Sequence, residues 1–204
     1  MEERDRILTN TSRLFLKRGV KALTMDEIAI ENGVSKRTLY ELFEDKGDLL
    51  EACIMHEDRE HRGMVKELEV SSDNILEFLV KMYEMQSEWL VSSGMDFFND
   101  IKRYYPHIYE RTVKCNRERR FEQIDKMLET GQKQRVFETT INRDLVARIL
   151  SEILIESNFV EMMSGYEHSK KEVLWSTVML YIRGITTDKG RVIIDNFFKE
   201  QNKK

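Results

Sequence analysis

Apolar residues recur at helical spacing from the start of the chain. Ile7, Leu8, Leu14 and Phe15 give Glu3–Arg18 an inner stripe, since each helical residue turns about 100°. Lys17 and Arg18 suit the negative C-terminal end of that helix, and Gly19 is placed to close it. Thr24 followed three positions later by Glu27 has the spacing of a capping box, so a second helix is predicted from Met25, with Ile28 and Ala29 inward. Asn32-Gly33 ends it, because glycine tolerates the left-handed conformation of a tight turn. Val34 then points inward and Ser35 caps a third helix, Lys36 to about Phe43. On that short helix Leu39, Leu42 and Phe43 form one apolar arc. Arg37 and Glu41 lie nearly opposite it, Lys36 and Tyr40 on one flank and Thr38 on the other.

Beyond this, Asp45 is a cap for a long helix, from about Asp48 through Cys53 and Met55 to Leu68. Ser71-Ser72-Asp73-Asn74 reads as loop and cap. A helix to about Val91 follows, carrying Ile75, Phe78, Leu79, Met82, Met85, Trp89 and Leu90. Ser92-Ser93-Gly94 breaks it, and a helix over Met95–Tyr104 ends before Pro106, the one proline. The next helix runs from Ile108 to about Thr130 and stops at Gly131. Two segments, Asp144–Met163 and Lys170–Ile185, have apolar stripes wider than one small body buries. Meeting a second copy, they would form a four-helix bundle. A short amphipathic helix, Val192–Phe198, follows.

The pattern predicts an all-α fold. Two domains are expected: residues 1–47, a three-helix domain with a helix-turn-helix, and residues 48–204, a larger helical domain. Plentiful Met, Leu, Glu, Lys and Arg agree with this. Among 204 residues, 34% are charged and 41% hydrophobic, and no apolar run of about 18 residues offers a membrane span. MEERDRIL carries no apolar signal-peptide core, so a cytoplasmic location is expected.

The third helix fits a major groove of DNA. Arg37 suits guanine and Glu41 suits cytosine, while Thr38, Tyr40 and Lys46 suit phosphates. Whole-chain charge does not announce this: the net is −4, and residues 1–50 hold nine Lys/Arg against ten Asp/Glu. Any electrostatic footprint is therefore local, with Lys36, Arg37 and Lys46 on one face and Glu27, Glu31 and Glu44 elsewhere.

At these residues the chain closely resembles the DNA-binding domain of the TetR family of bacterial transcriptional regulators. The matching pieces are LTMDEIA (Leu23–Ala29), GVSKRTLYELF (Gly33–Phe43) and the K-x-D-L-L run (Lys46–Leu50), with RILTNTSRLFLKRGVKALT upstream. They stand in the family's order and spacing, and the motif match covers roughly the first 55 residues. The resemblance implies that Lys36, Arg37, Thr38 and Tyr40 face DNA, with phosphate contacts from Thr38, Tyr40, Lys46 and Thr24. Ser35 and Glu41 complete the expected DNA-binding set. Many relatives carry Gly at the position of Arg37, and an aromatic residue or His at that of Glu41. Those departures bear on which sequence is read.

The resemblance further implies a homodimer built through residues 144–163 and 170–187, with GITTDKG (Gly184–Gly190) resembling the family's ending of that interface. It implies a ligand-responsive regulator, a repressor on a pseudo-palindromic operator, released by an effector bound among the central helices. Phe78, Met82, Met85, Trp89, Phe97, Phe98 and Tyr105 are the candidate pocket, since aromatics with flexible Met line adaptable apolar cavities. A small, largely apolar effector is expected.

Other constellations point to ordinary structure. In HEDREH, His56 and His61 stand five apart, about 140° around a helix, so a solvated face is expected there and no metal site. Cys53 and Cys115 read as reduced, packed thiols. Lys114–Arg120 reads as a solvated basic face with intrahelical pairs. No P-loop, G-x-S-x-G or G-x-G-x-x-G occurs, so neither enzymatic activity nor a cofactor is expected. The rival reading is a helical ligand-binding or interaction protein without specific DNA binding.

Overall fold

The computed structural model describes residues 3–92, 95–153 and 175–201; side chains are described except at 86–92, 95–96, 113–116, 175 and 197–201. Helices make up nearly all of it, in the order α1 Glu3–Arg18, α2 Met25–Asn32, α3 Lys36–Leu42, α4 Lys46–Val70, α5 Ile75–Ser92, α6 Met95–Tyr104, α7 Pro106–Lys133 and α8 Arg143–Ile153. A π-helical turn, Trp175–Met179, leads into α9 Leu180–Ile185, and α10 is Asp188–Gln201. The chain forms two compact units, Met1–Lys66 with Ser92–Thr112, and Glu67–Val91 with Val113–Lys204.

The first unit has one core. Ile7, Leu8, Phe15, Val20, Leu23, Ile28, Leu39, Phe43, Leu49, Leu50 and Cys53 are buried in it, joined by Ile101 of α6 and Ile108 of α7. Each such aliphatic or aromatic side chain contributes ~1.5–3 kcal/mol, and three helices of this length are marginal alone. A polar lock fixes α1 against α2. The Asn32 amide donates to Thr11 Oγ1 at 3.1 Å and to the Ile28 carbonyl at 2.8 Å, and Arg6 donates to the Asn32 carbonyl at 2.9 Å.

Three details differ from the sequence expectation. The long helix starts at Lys46, because Asp45 Oδ1 accepts from the Gly47 and Asp48 amides at 2.7 and 2.9 Å. Second, α7 runs through Gly131 to Lys133, so that glycine is no stop. His56 is buried and not on a solvated face: α1 covers it, and its Nε2 is 2.9 Å from Thr9 Oγ1.

In the second unit, Asn74 caps α5 by accepting from the Leu76 and Glu77 amides, as the loop signal foretold. The core holds Leu76, Phe78, Val80, Ile124, Leu128, Val136, Phe137, Leu150, Ile182 and Ile185. After α7 the chain turns through Arg135 at φ 59° and lays Phe137 antiparallel to Thr186. The Glu138 amide donates to the Ile185 carbonyl at 2.9 Å, and the Thr187 amide to the Val136 carbonyl at 3.0 Å. Arg117 pairs with Glu152 of α8 through two bonds of 2.6 and 2.7 Å, an interhelical fork where intrahelical pairs were expected. Of the predicted segments 144–163 and 170–187, the stretch 154–174 lies outside the described residues.

Candidate nucleic-acid interface

The reading head is built from local signals. Thr24 accepts from the Glu27 amide at 3.2 Å, while the Glu27 carboxylate accepts from the Thr24 amide and hydroxyl at 2.8 Å. These bonds hold the Glu27 carboxyl below its usual range. Helix α2 ends at Gly33 with φ 65°, and the Val34 amide donates back to the Ala29 carbonyl at 3.0 Å. A Cβ at Gly33 would meet nothing, yet that backbone conformation is strained for any other residue. Ser35 then caps α3, accepting from the Thr38 amide at 3.0 Å.

The consequence is a seven-residue helix that buries Leu39, half-buries Leu42 and Thr38, and leaves Lys36, Arg37, Tyr40 and Glu41 exposed. Arg37 is 88% exposed, and its Nε donates to Glu41 Oε1 at 2.8 Å. Lys36 Nζ lies 2.7 Å from Asp26 Oδ1, and this partner raises the lysine's pKa. Both cations of the helix are thus paired within the protein. Lys46 stands half-buried at the start of α4, its pKa lowered by burial and partly restored by Asp100 and Glu27.

The sequence missed one contributor. Asp100 of α6 accepts from the Lys21 amide at 2.6 Å, tying α6 to the loop that leads into Thr24. Those residues are far apart in sequence, and neither carries a local signal. Tyr105 packs against Gly47 and the first-unit core, and Arg111 pairs with Glu51.

The expected pocket residues are distributed between the units. Phe97 packs against the first-unit core, with Phe98 edge-on to it at 5.1 Å. Phe78 is buried in the second unit, where Met82 and Met85 are half-buried; the Trp89 side chain lies outside the described residues. Cys53 is a buried thiol whose pKa burial pushes to about 12, and the Cys115 side chain lies outside the described residues. Among the described residues no group of His, Cys, Asp and Glu is placed to hold a metal ion. No described helix is long and apolar enough to cross a membrane.

Thr24→Ala removes the reciprocal cap. It is expected to lower stability by about 0.5–2 kcal/mol, measured by denaturant unfolding. Since the Glu27 pKa is depressed in the folded protein, the stabilisation the cap provides is present above the usual carboxylate range. It is lost as the pH falls through the lowered value.

Residues 7–53 match the profile of the bacterial regulatory proteins, tetR family. The chain is 27% identical over 185 residues to YvaF of Bacillus subtilis, an uncharacterized HTH-type transcriptional regulator, covering 90% of this chain and 96% of that one. Among solved structures, a TetR-family transcriptional regulator from Agrobacterium tumefaciens superposes with a TM-score of 0.72 at 16% identity, covering 91% and 98% of the two chains. The ketosteroid transcriptional regulator KstR2 of Mycobacterium tuberculosis gives 0.57 at 19% identity, covering 92% and 96%. Those two share the fold. With the reading head described above, the profile match and the regulator relative lead to one conclusion: residues 7–53 form a DNA-binding domain of the tetR family of bacterial regulatory proteins, in a chain that is similar along its length to HTH-type transcriptional regulators.

Proposed function

We propose that the protein is a homodimeric repressor in which two α3 helices enter successive major grooves of a pseudo-palindromic operator. Their spacing would be roughly 34–36 Å, one helical turn of DNA. The exposed row Lys36, Arg37, Tyr40 and Glu41 on a helix with an apolar back carries this reading. Thr24, Ser35, Thr38 and Lys46 flank it as phosphate-contacting or capping groups. Cytoplasmic location follows from work on chromosomal DNA.

Helix α8 supports the dimer. It buries Val146, Ala147 and Leu150, yet Leu145 is 52% and Ile149 37% exposed, one turn apart on its other side. Two apolar residues held in water four positions apart are explained by a second copy covering them. Leu145→Glu with Ile149→Glu is expected to convert the dimer to a monomer in sedimentation velocity while the helical circular dichroism is retained. A variant that still sediments as a dimer places the interface elsewhere.

A small, largely apolar effector is the proposed releasing signal. The half-buried Met82 and Met85 beside buried Phe78 supply adaptable apolar surface, and KstR2, which shares the fold, is a ketosteroid regulator. Release requires that effector and DNA prefer different conformations. The function is tested by selecting duplexes from a random library with purified protein at two salt concentrations. An enriched palindrome with one-turn half-site spacing supports the reading. No enrichment at low salt refutes it in favour of a ligand-binding or interaction protein.

A further inference from the structure

We propose that Lys21 and Arg103, gathered around the Tyr104 ring at the end of α6, form a second phosphate-binding patch that grips the DNA backbone beside the base-reading helix. Lys21 Nζ lies 5.3 Å from the centre of the Tyr104 ring, and the Arg103 guanidinium carbon 5.5 Å from it. Tyr104 itself is 40% exposed and both cations are exposed.

Three observations connect this cluster to DNA. First, Asp100, one turn before Tyr104, accepts from the Lys21 amide at 2.6 Å, so the end of α6 is fixed to the loop three residues before Thr24. Second, Tyr105, the neighbour of Tyr104, packs its ring against Gly47, which follows Lys46 at the start of α4. The patch is therefore continuous with the start of α2 and the start of α4. Third, among the described residues neither Lys21 nor Arg103 has a carboxylate at ion-pair distance, whereas Arg18, Lys36, Arg37 and Arg111 all do.

The acidic groups nearby are committed to other bonds. Asp45 holds the Gly47 and Asp48 amides, Asp48 accepts from the Glu44 amide, and Glu27 is bound to Thr24. Asp100 spends an oxygen on the Lys21 amide. A phosphate arriving at Lys21 and Arg103 thus meets two unneutralised cations, with an aromatic ring restricting where their side chains go. Because phosphates carry no base identity, the patch adds affinity and register without sequence preference. It lies off the reading helix, so the partner is backbone next to the recognised bases.

This inference rests on the DNA-binding reading above. The test is a salt titration of full-length wild type and of Lys21→Gln with Arg103→Gln. The probe is a selected duplex carrying ten flanking base pairs on each side. Each phosphate contact contributes about 0.9 to the slope of log K against log salt. Per protomer, the double variant is expected to lose about 1.8 from that slope, and roughly 60-fold in affinity at 0.1 M salt, converging on wild type near 1 M. Its preferred sequence should not change, and Arg103→Lys should retain the wild-type slope. Trimming the flanks should weaken wild type and leave the double variant nearly unaffected. Unchanged slope and affinity in a correctly folded double variant overturn the patch while leaving the reading helix intact. A wild type that binds no duplex overturns both.

Discussion

Arg37→Ala is expected to erase the preference for one base pair in each half-site while leaving the protein as stable as before. Arg37 is 88% exposed and its partner Glu41 sits a turn away on the same helix. Exposed pairs of this kind contribute well under 1 kcal/mol, so thermal melting should barely move. Binding is another matter. The Glu41 carboxylate takes the Nε hydrogen, which leaves the two terminal nitrogens as a fork for guanine O6 and N7. Losing that fork costs about 1–3 kcal/mol per half-site at the guanine position, or about 5- to 150-fold. Other base pairs at that position should bind the variant almost equally well. Tyr40→Phe makes the contrast, weakening all sequences alike because it removes a phosphate contact. Competition binding across the four base pairs at each operator position distinguishes the two. A variant that keeps the full preference places the base reading on another residue.

What was legible beforehand follows from how far apart the interacting residues stand. The capping box, the Asn-Gly stop and the Ser35 cap each complete themselves within four residues, and each is found as read. The apolar arc of α3 was equally visible, because periodicity alone fixes which side of a short helix is buried. Asp100 holding Lys21, Thr9 beside His56, and Glu152 reaching Arg117 join residues from different helices. Nothing in the spacing of either partner announces them. His56 shows the limit: in HEDREH the neighbours are charged and suggest a wet face, but α1 arrives from elsewhere in the chain and covers that position. The aromatic and Met positions from Phe78 to Tyr105 were all recognisable as apolar. Periodicity did not say which compact unit would take each, and Phe97 and Tyr105 pack with the reading head while Phe78 packs in the second unit.

Gly131 extends the same reasoning to a measurable sign. A glycine inside a helix normally costs about 1 kcal/mol relative to alanine, so helix propensity alone predicts that Gly131→Ala stabilises the protein. The tertiary structure predicts the reverse. A Cβ at Gly131 would stand 2.1 Å from Cδ2 of Phe137 and 2.5 Å from Cε2. Phe137 is 1% exposed, so its ring has no solvent to retreat into. Its backbone is held as well: the Phe137 amide donates to the Gly131 carbonyl at 3.2 Å, and the neighbouring Glu138 amide to Ile185. Overpacking of a filled core costs about 1–3 kcal/mol and sometimes more. With the ring buried and the backbone beside it held, the upper end is expected, a fall in melting temperature of about 6–12 °C for a chain of this size. Phe137→Ala alone should cost about 3–5 kcal/mol through the lost burial. Combined with Gly131→Ala it should cost less than the sum, because the added methyl then points into the space the ring vacated. Denaturant unfolding of the four proteins in this cycle measures both quantities. A more stable Gly131→Ala protein would mean that helix propensity prevails and that the ring yields freely.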